Sequence, residues 1–306
     1  MRFAVVGAGG LGGYFGGRLA QAGETVTFIA RGAHLDALRS RGLRVESVTG
    51  DFALPRVQVT DDPKQAAAVD CVLMTVKAYD LEEAATGILP LVGSHTVVLP
   101  LLNGVDIAER IGAVVGLEHM LGGLAYIFSS IVEPGVIRHE SPFGRIQLGE
   151  LPGGLSERAG AIEGVLKRAG IEAQQVPDIR AALWTKFLFL AATSGVCALT
   201  RAPLGAVRAD PDTRELFIAC MREVEALARR RGIAVKAGIV EETMAFADGV
   251  PPGLRPSLLN DLERGRPLEL EALNGTVVRL AREAGLAVPV NGFIYTALKF
   301  HADGRK

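Results

Sequence analysis

The sequence predicts an α/β protein in which a parallel-sheet domain is followed by an all-helical one. Three observations predict it. Short, near-continuous apolar runs alternate with helical stretches through the first half, a glycine-rich turn closes the first of those runs, and strand signals fade after Pro177–Asp178. A length of 306 residues exceeds one compact domain and sets the expectation of two, residues 1–177 and 178–306.

Taken in order, Phe3 to Val6 is a short buried strand, and the stretch from Gly12 to Ala22 a helix. TVTFIA (25–30), DCVLMTV (70–76) and TVVLPLL (96–102) read as further strands, the last two each followed by a helical segment. Segments between 120 and 150 read as later strands, with turns at Pro134–Gly135 and Pro142–Phe143. GLSERAGAIEGVLKRAG reads as a helix and AQQVP as a last short strand. Beyond residue 177 the pattern is helical, punctuated at Ala202–Pro203, Pro251–Pro252, Pro267 and Pro289.

Composition excludes several classes. Nearly half the residues are apolar and the formal net charge is −1 without a basic block, so neither nucleic acid nor an anionic membrane is an expected partner. Cys71, Cys197 and Cys220 lie far apart in apolar surroundings and form no metal-ligand spacing; buried thiols of a reducing compartment are expected, and no metal. Residues 181–200 carry a single charge and are long enough to span a membrane, but Lys186, Thr193, Ser194 and Gly195 lie inside and no aromatic belt frames them. The expectation is a buried helix of a cytoplasmic protein.

Gly7-Ala8-Gly9-Gly10-Leu11-Gly12 is a GxGxxG between a strand and a helix. The first glycine permits the tight turn, the second lets backbone approach a pyrophosphate, and the third allows close helix–strand packing. In a chain with 37 glycines the motif gains its weight from its place in the first βαβ unit, and it marks a Rossmann-type dinucleotide-binding domain. At the end of the second strand stands Arg31 rather than the acidic residue that binds the ribose of NAD, which favours NADP; the plain alternative is a solvated loop arginine. Lys77 and Asn103 follow the next two strands, at the ends where such sheets bind ligands, and a surface turn is the competing reading for each.

In the second half, Lys186 is the one charge in its helix and sits beside Trp184 and Phe187. Partial burial would lower its pKa toward a range useful for a proton donor; a lysine reaching solvent along its apolar stem is the alternative. Pro267 can open a helix, which would put Glu269 in the first turn and Leu270, Leu273, Val277 and Leu280 on the buried stripe. There Glu269 either serves the helix dipole or takes part in chemistry. Ser257, after Pro256, reads as a helix cap first and a ligand contact second.

Together GAGGLG, Arg31, Lys77 in VKAYD, Asn103 in LLNGV, Trp184 and Lys186, then Ser257 and Glu269 upstream of Asn274–Gly275 resemble the ketopantoate reductase family over nearly the whole chain. The resemblance implies hydride transfer from NADPH to the ketone carbon of a 2-oxo acid, with pantothenate biosynthesis as the setting. It implies Lys186 as proton donor, Glu269 orienting that lysine, Asn103 between nicotinamide and substrate, and Ser257 holding the substrate. Helical second domains of this kind often pair, so a homodimer is the expectation by analogy. One departure stands out: the family pattern places asparagines one and two turns after the lysine, where this chain has Leu190 and Ser194. Loss of an amide there points to a more apolar 2-oxo acid, or to another residue that recovers the contact. A β-hydroxy acid dehydrogenase, which also uses a helix-borne lysine, and a non-catalytic NADP-binding sensor are the competing readings.

Overall fold

The structure, a computed structural model, describes residues 1–304. The chain divides into two compact units, one formed by Met1–Leu102 with Asp106–Ile179, the other by Asn103–Val105 with the chain from Arg180 onward.

The strands of the first unit are β1 (Arg2–Val6), β2 (Thr25–Ile29), β3 (Leu43–Ser47), β4 (Phe52–Leu54), β5 (Gln58–Thr60), β6 (Cys71–Met74), β7 (Val97–Pro100), β8 (Gly122–Tyr126), β9 (Ser129–Glu133), β10 (Val136–His139), β11 (Arg145–Gly149) and β12 (Glu172–Gln175). The central sheet runs β5-β2-β1-β6-β7 with all pairs parallel, so β1 is flanked by strands reached through crossovers in opposite directions. That reversal creates a switch point at the carboxyl ends of β1 and β6, the usual ligand crevice of open α/β sheets. Phe3, Val5, Phe28, Leu73 and Leu99 are fully buried in this unit's core. Their near-continuous apolar strands reflect burial on both sheet faces.

Two further sheets extend the unit. A parallel bridge from Val98 to Met120 leads from β7 into the sheet β12-β11-β8. The other, β4-β3-β10-β9, has its outer strand β9 mostly exposed. For β3, β4 and β5 the sequence reading names no strand; they are short, and LRVES alternates charge with aliphatics too briefly to signal one.

Helix α1 (Gly10–Gln21) lies between the central sheet and β4-β3-β10-β9, and this explains its glycines. A Cβ on Gly16 would strike Phe28 and Val5 on one side, while a Cβ on Gly13 would strike Ile137, and one on Gly17 would press on Leu43 and Phe52, on the other. Glycine in a helix costs about 0.5–1 kcal/mol relative to alanine, which close packing on two faces offsets. The remaining helices of this unit are α2 (Gly32–Arg41), α3 (Leu81–Gly87), α4 (Ile107–Val115) and α5 (Glu157–Arg168).

The second unit is built from α6 (Ile179–Thr200), α7 (Leu204–Ala209), α8 (Pro211–Arg230), α9 (Ile239–Gly249), α10 (Ser257–Glu263), α11 (Thr276–Glu283) and α12 (Pro289–Leu298). Helix α6 is long and apolar enough to cross a membrane, yet 61% of its most apolar window is buried inside the protein. Phe187, Leu188, Ala191, Val196 and Cys197 join Phe217, Val224 and Val277 in one core, as befits a central helix of a folded domain.

One helix boundary departs from the sequence reading. Pro267 does not open a helix; it forms an isolated antiparallel bridge with Asp303, and Leu268 donates its N–H to Ala302 at 2.8 Å. The helix enters instead through a π turn, Glu271–Gly275, whose Gly275 N–H reaches the Leu270 carbonyl at 2.9 Å. Leu268 and Leu270 are buried, and that anchorage outweighs the preference of proline for a first helical position.

Candidate active site

The glycine turn follows from the register of β1. Gly7 ends the strand with φ +95°, a conformation L side chains rarely adopt, and a Cβ there would meet the Val76 nitrogen at 2.8 Å. Ala8 turns into the core, and Leu11 packs against the same core. Gly9, the N-cap of α1, has nothing within 4 Å of the point a Cβ would occupy, so its backbone is open to approach. Gly10 serves packing instead, since a Cβ on it would collide with the Ser129 carbonyl of β9, and one on Gly12 would collide with Gly7 and Thr75. Thr75, which the sequence reading does not single out, fastens the turn: its hydroxyl lies 3.0 Å from the Val6 carbonyl and 2.7 Å from that of Gly7. An open Gly9 before first-turn amides that lack helical partners fits a dinucleotide pyrophosphate.

Arg31 caps the start of α2 from an extended conformation, with its side chain 75% exposed. Its Nη2 pairs with Asp80 Oδ2 at 2.5 Å. Lys77 stands half-buried after β6, ahead of a short 3-10 turn, Ala78–Asp80. These residues, with the glycine turn, share the carboxyl end of the central sheet.

In the second unit the Lys186 ammonium donates to Asn103 Oδ1 at 3.0 Å. An ammonium has only donors, which fixes the amide oxygen toward it. Trp184 and Phe187, edge to face at 5.9 Å and both buried, flank the lysine along α6. Although the residue as a whole is half-buried, burial around its ammonium lowers its pKa to about 8, against the opposing charge of Glu269. Lys186, Asn103 and Glu269 are therefore brought together. Glu269 reaches this group from the turn before the π turn, not from a helix's first turn.

A buried amide network holds that turn. Asn274, fully buried in the π turn, donates from Nδ2 to the Ala191 carbonyl of α6 at 3.3 Å and to Asn291 Oδ1 at 2.9 Å. Asn291 donates in turn to Glu223 at 2.8 Å, and Glu223 accepts the N–H groups of Val290 and Asn291 at the start of α12. Polar residues set among apolar ones are the sequence signal that such a network leaves.

Along α6, Leu190 is half-buried and Ser194 buried, one and two turns beyond Lys186. Thr193 shares their stripe by helical phase, and its hydroxyl is buried without a hydrogen-bond partner. Ser257 is not a cap. Pro256 takes the capping position, its ψ of 157° extended rather than helical, and Ser257 is the first helical residue and exposed. Among the described residues no three His, Cys, Asp or Glu side chains converge as a metal site would require, and the three cysteines are buried and free of disulfides.

A Rossmann-like parallel sheet with a glycine turn at its switch point, joined in one chain to a helical unit, defines a two-domain NAD(P)-type oxidoreductase. Residues 3–153 match the family model described as ketopantoate reductase PanE/ApbA, and residues 178–302 match that of its C-terminal domain. The chain belongs to the ketopantoate reductase family. It is 33% identical to a 2-dehydropantoate 2-reductase of Mesorhizobium japonicum, over 92% of each chain. It is 31% identical to an uncharacterized oxidoreductase, YkpB, of Bacillus subtilis, over 98% of this chain and 99% of the other. A crystal structure of 2-dehydropantoate 2-reductase from Geobacter metallireducens superposes with a TM-score of 0.92 at 33% identity, covering 98% of this chain and 99% of that one.

Proposed function

We propose that this chain is a cytoplasmic enzyme that reduces the ketone of a 2-oxo acid with NADPH, the proton coming from Lys186. The observation that carries the reading is the desolvated Lys186 ammonium, held by Asn103 at 3.0 Å and close enough to Glu269 to feel its charge. A lysine with a pKa near 8 is still largely protonated at neutral pH and gives up its proton more readily than an exposed one. In the reaction the bound nicotinamide supplies the hydride. Lys186 polarises the substrate carbonyl and protonates the forming alkoxide, while Asn103 fixes the ammonium and Glu269 keeps it charged. The glycine turn Gly7–Gly12 holds the pyrophosphate, Arg31 the 2′-phosphate, and Lys77 a further anionic oxygen of the cofactor. Ser257 is assigned to the substrate on the family resemblance.

For the substrate we take ketopantoate as the first candidate and a more apolar 2-oxo acid as the second. Leu190 favours the second, because a leucine at that point of α6 offers a substrate hydroxyl nothing. The unpartnered hydroxyl of Thr193 is the group on this stripe that could restore a contact.

The test follows NADPH oxidation by absorbance with ketopantoate and with 2-oxo acids lacking its hydroxyl, for wild type and Lys186→Ala in parallel. Turnover by wild type and its loss by 10²-fold or more in the variant, on the order expected for removal of a general acid, supports the reading. Turnover that survives in Lys186→Ala overturns the assignment of the proton donor. Absence of turnover with every 2-oxo acid, although NADPH binds, would revive the sensor reading, and reduction of NADP+ by a β-hydroxy acid, with no 2-oxo acid turned over, would favour that class of dehydrogenase. Mass photometry tests the homodimer.

A further inference from the structure

We propose that Asp80 sets the cofactor preference of this chain by acting as the internal counter-ion that a 2′-phosphate must displace from Arg31. The inference rests on the NADPH reading above and concerns the same subsite. Arg31 follows β2 and Asp80 follows β6, and these strands flank β1 on its two sides. Their 2.5 Å ion pair therefore crosses the carboxyl end of β1, where the glycine turn begins.

A second observation shows where the carboxylate is directed. Asp80 occupies the N-cap position of α3, where an aspartate ordinarily accepts from a first-turn amide, yet its side chain makes no capping bond. It turns to Arg31 instead. The arginine is mostly exposed and the aspartate mostly covered, so the guanidinium presents its remaining donors outward while one edge is already neutralised.

Charge then decides what each dinucleotide meets. A phosphate monoester brings between one and two negative charges, and near Arg31 it also comes close to the Asp80 carboxylate. NADPH binding has to exchange one anion for the other or tolerate the repulsion. The ribose hydroxyls of NADH bring no charge, and a carboxylate accepts hydrogen bonds from them. Asp80 thus weakens NADPH and spares NADH, which narrows the discrimination that Arg31 alone would impose.

Isothermal titration of the full chain with NADPH and with NADH, for wild type, Asp80→Asn and Arg31→Gln, tests this. The quantity read is the ratio of the two dissociation constants. Asp80→Asn should shift that ratio toward NADPH by about tenfold, chiefly through tighter NADPH binding, and Arg31→Gln should shift it the other way. A ratio unchanged within twofold in Asp80→Asn, with Arg31→Gln behaving as expected, overturns the role of Asp80 and leaves the NADPH reading standing. A ratio insensitive to Arg31→Gln removes Arg31 from the 2′-phosphate subsite and overturns both. The asparagine is isosteric and its site partly exposed, and unchanged thermal melting verifies that each variant is folded.

Discussion

Lys186 of α6 and Asn103, which follows β7, are joined by a 3.0 Å hydrogen bond from the lysine ammonium to the amide oxygen. Asn103–Val105 belongs to the helical unit although the segments before and after it belong to the sheet unit. The bond thus ties the excursion to α6 at the one charge that helix carries between residues 181 and 200.

The pH dependence of reduction should report this lysine. Its pKa is lowered to about 8 by burial, and Glu269 opposes the shift. With the ammonium as donor, kcat/KM for the oxo acid is highest below about pH 8 and falls as pH rises through it. Glu269→Gln removes the charge that favours the ammonium, so the descending limb moves to lower pH by about half a unit or more. A limb that stays in place would separate Glu269 from the lysine.

Stability should carry the same signature with a defined sign. The folded pKa of about 8 lies below the ordinary 10.5, so between these values the unfolded chain binds more protons and stability rises with pH. Below about pH 8 the buried ammonium is a burden in full. Lys186→Met should therefore raise Tm at neutral pH, by a gain of at most about 2 kcal/mol after allowance for partial exposure, and the gain should vanish above about pH 10.5. Thermal melts across this range check it.

Thr75 should matter to the cofactor and little to chemistry. Replacing it by valine removes both bonds that fasten the Val6 and Gly7 carbonyls. The expected loss is about 1–2 kcal/mol of stability, with dinucleotide affinity down several-fold and kcat at saturation nearly unchanged. Calorimetric titration with saturation kinetics separates the two effects.

Gly195→Ala probes how α6 meets the π turn. A Cβ there would stand 2.8 Å from Asn274 Oδ1 and 2.9 Å from Ile294 Cγ2. Overpacking of this kind costs about 1–3 kcal/mol. Because Asn274 fastens the turn that follows Glu269, kcat should fall more than KM changes. A variant that melts earlier with unaltered kinetics would make the network purely structural.

Leu190→Asn restores an amide one turn beyond the lysine. It should raise kcat/KM for ketopantoate, relative to a 2-oxo acid without the hydroxyl, by about tenfold. An unchanged ratio would mean that position 190 does not face the substrate.

Features that depend on near neighbours in the chain are legible in the sequence. GAGGLG declares its turn because strand, glycines and helix follow within a few residues, and Lys186 is conspicuous because its own helix is otherwise uncharged between residues 181 and 200. That β1, β2, β6 and β7 are strands follows from apolar runs that need no knowledge of their partners. Other features belong to the folded chain. The oxygen that meets Lys186 lies 83 residues away. Glu269 arrives by a π turn because Leu268 and Leu270 are buried and Asn274 is tied to Ala191, where the local pattern of Pro267 argues for an ordinary helix start. Arg31 finds Asp80 49 residues on, across a strand belonging to neither. Helix α1 needs glycine on two faces because a second sheet, whose strands carry weak signals, closes over it. Propensity acts through neighbours a turn or a strand apart, whereas a buried donor or a tight contact is satisfied by whichever segment the folded chain brings to it.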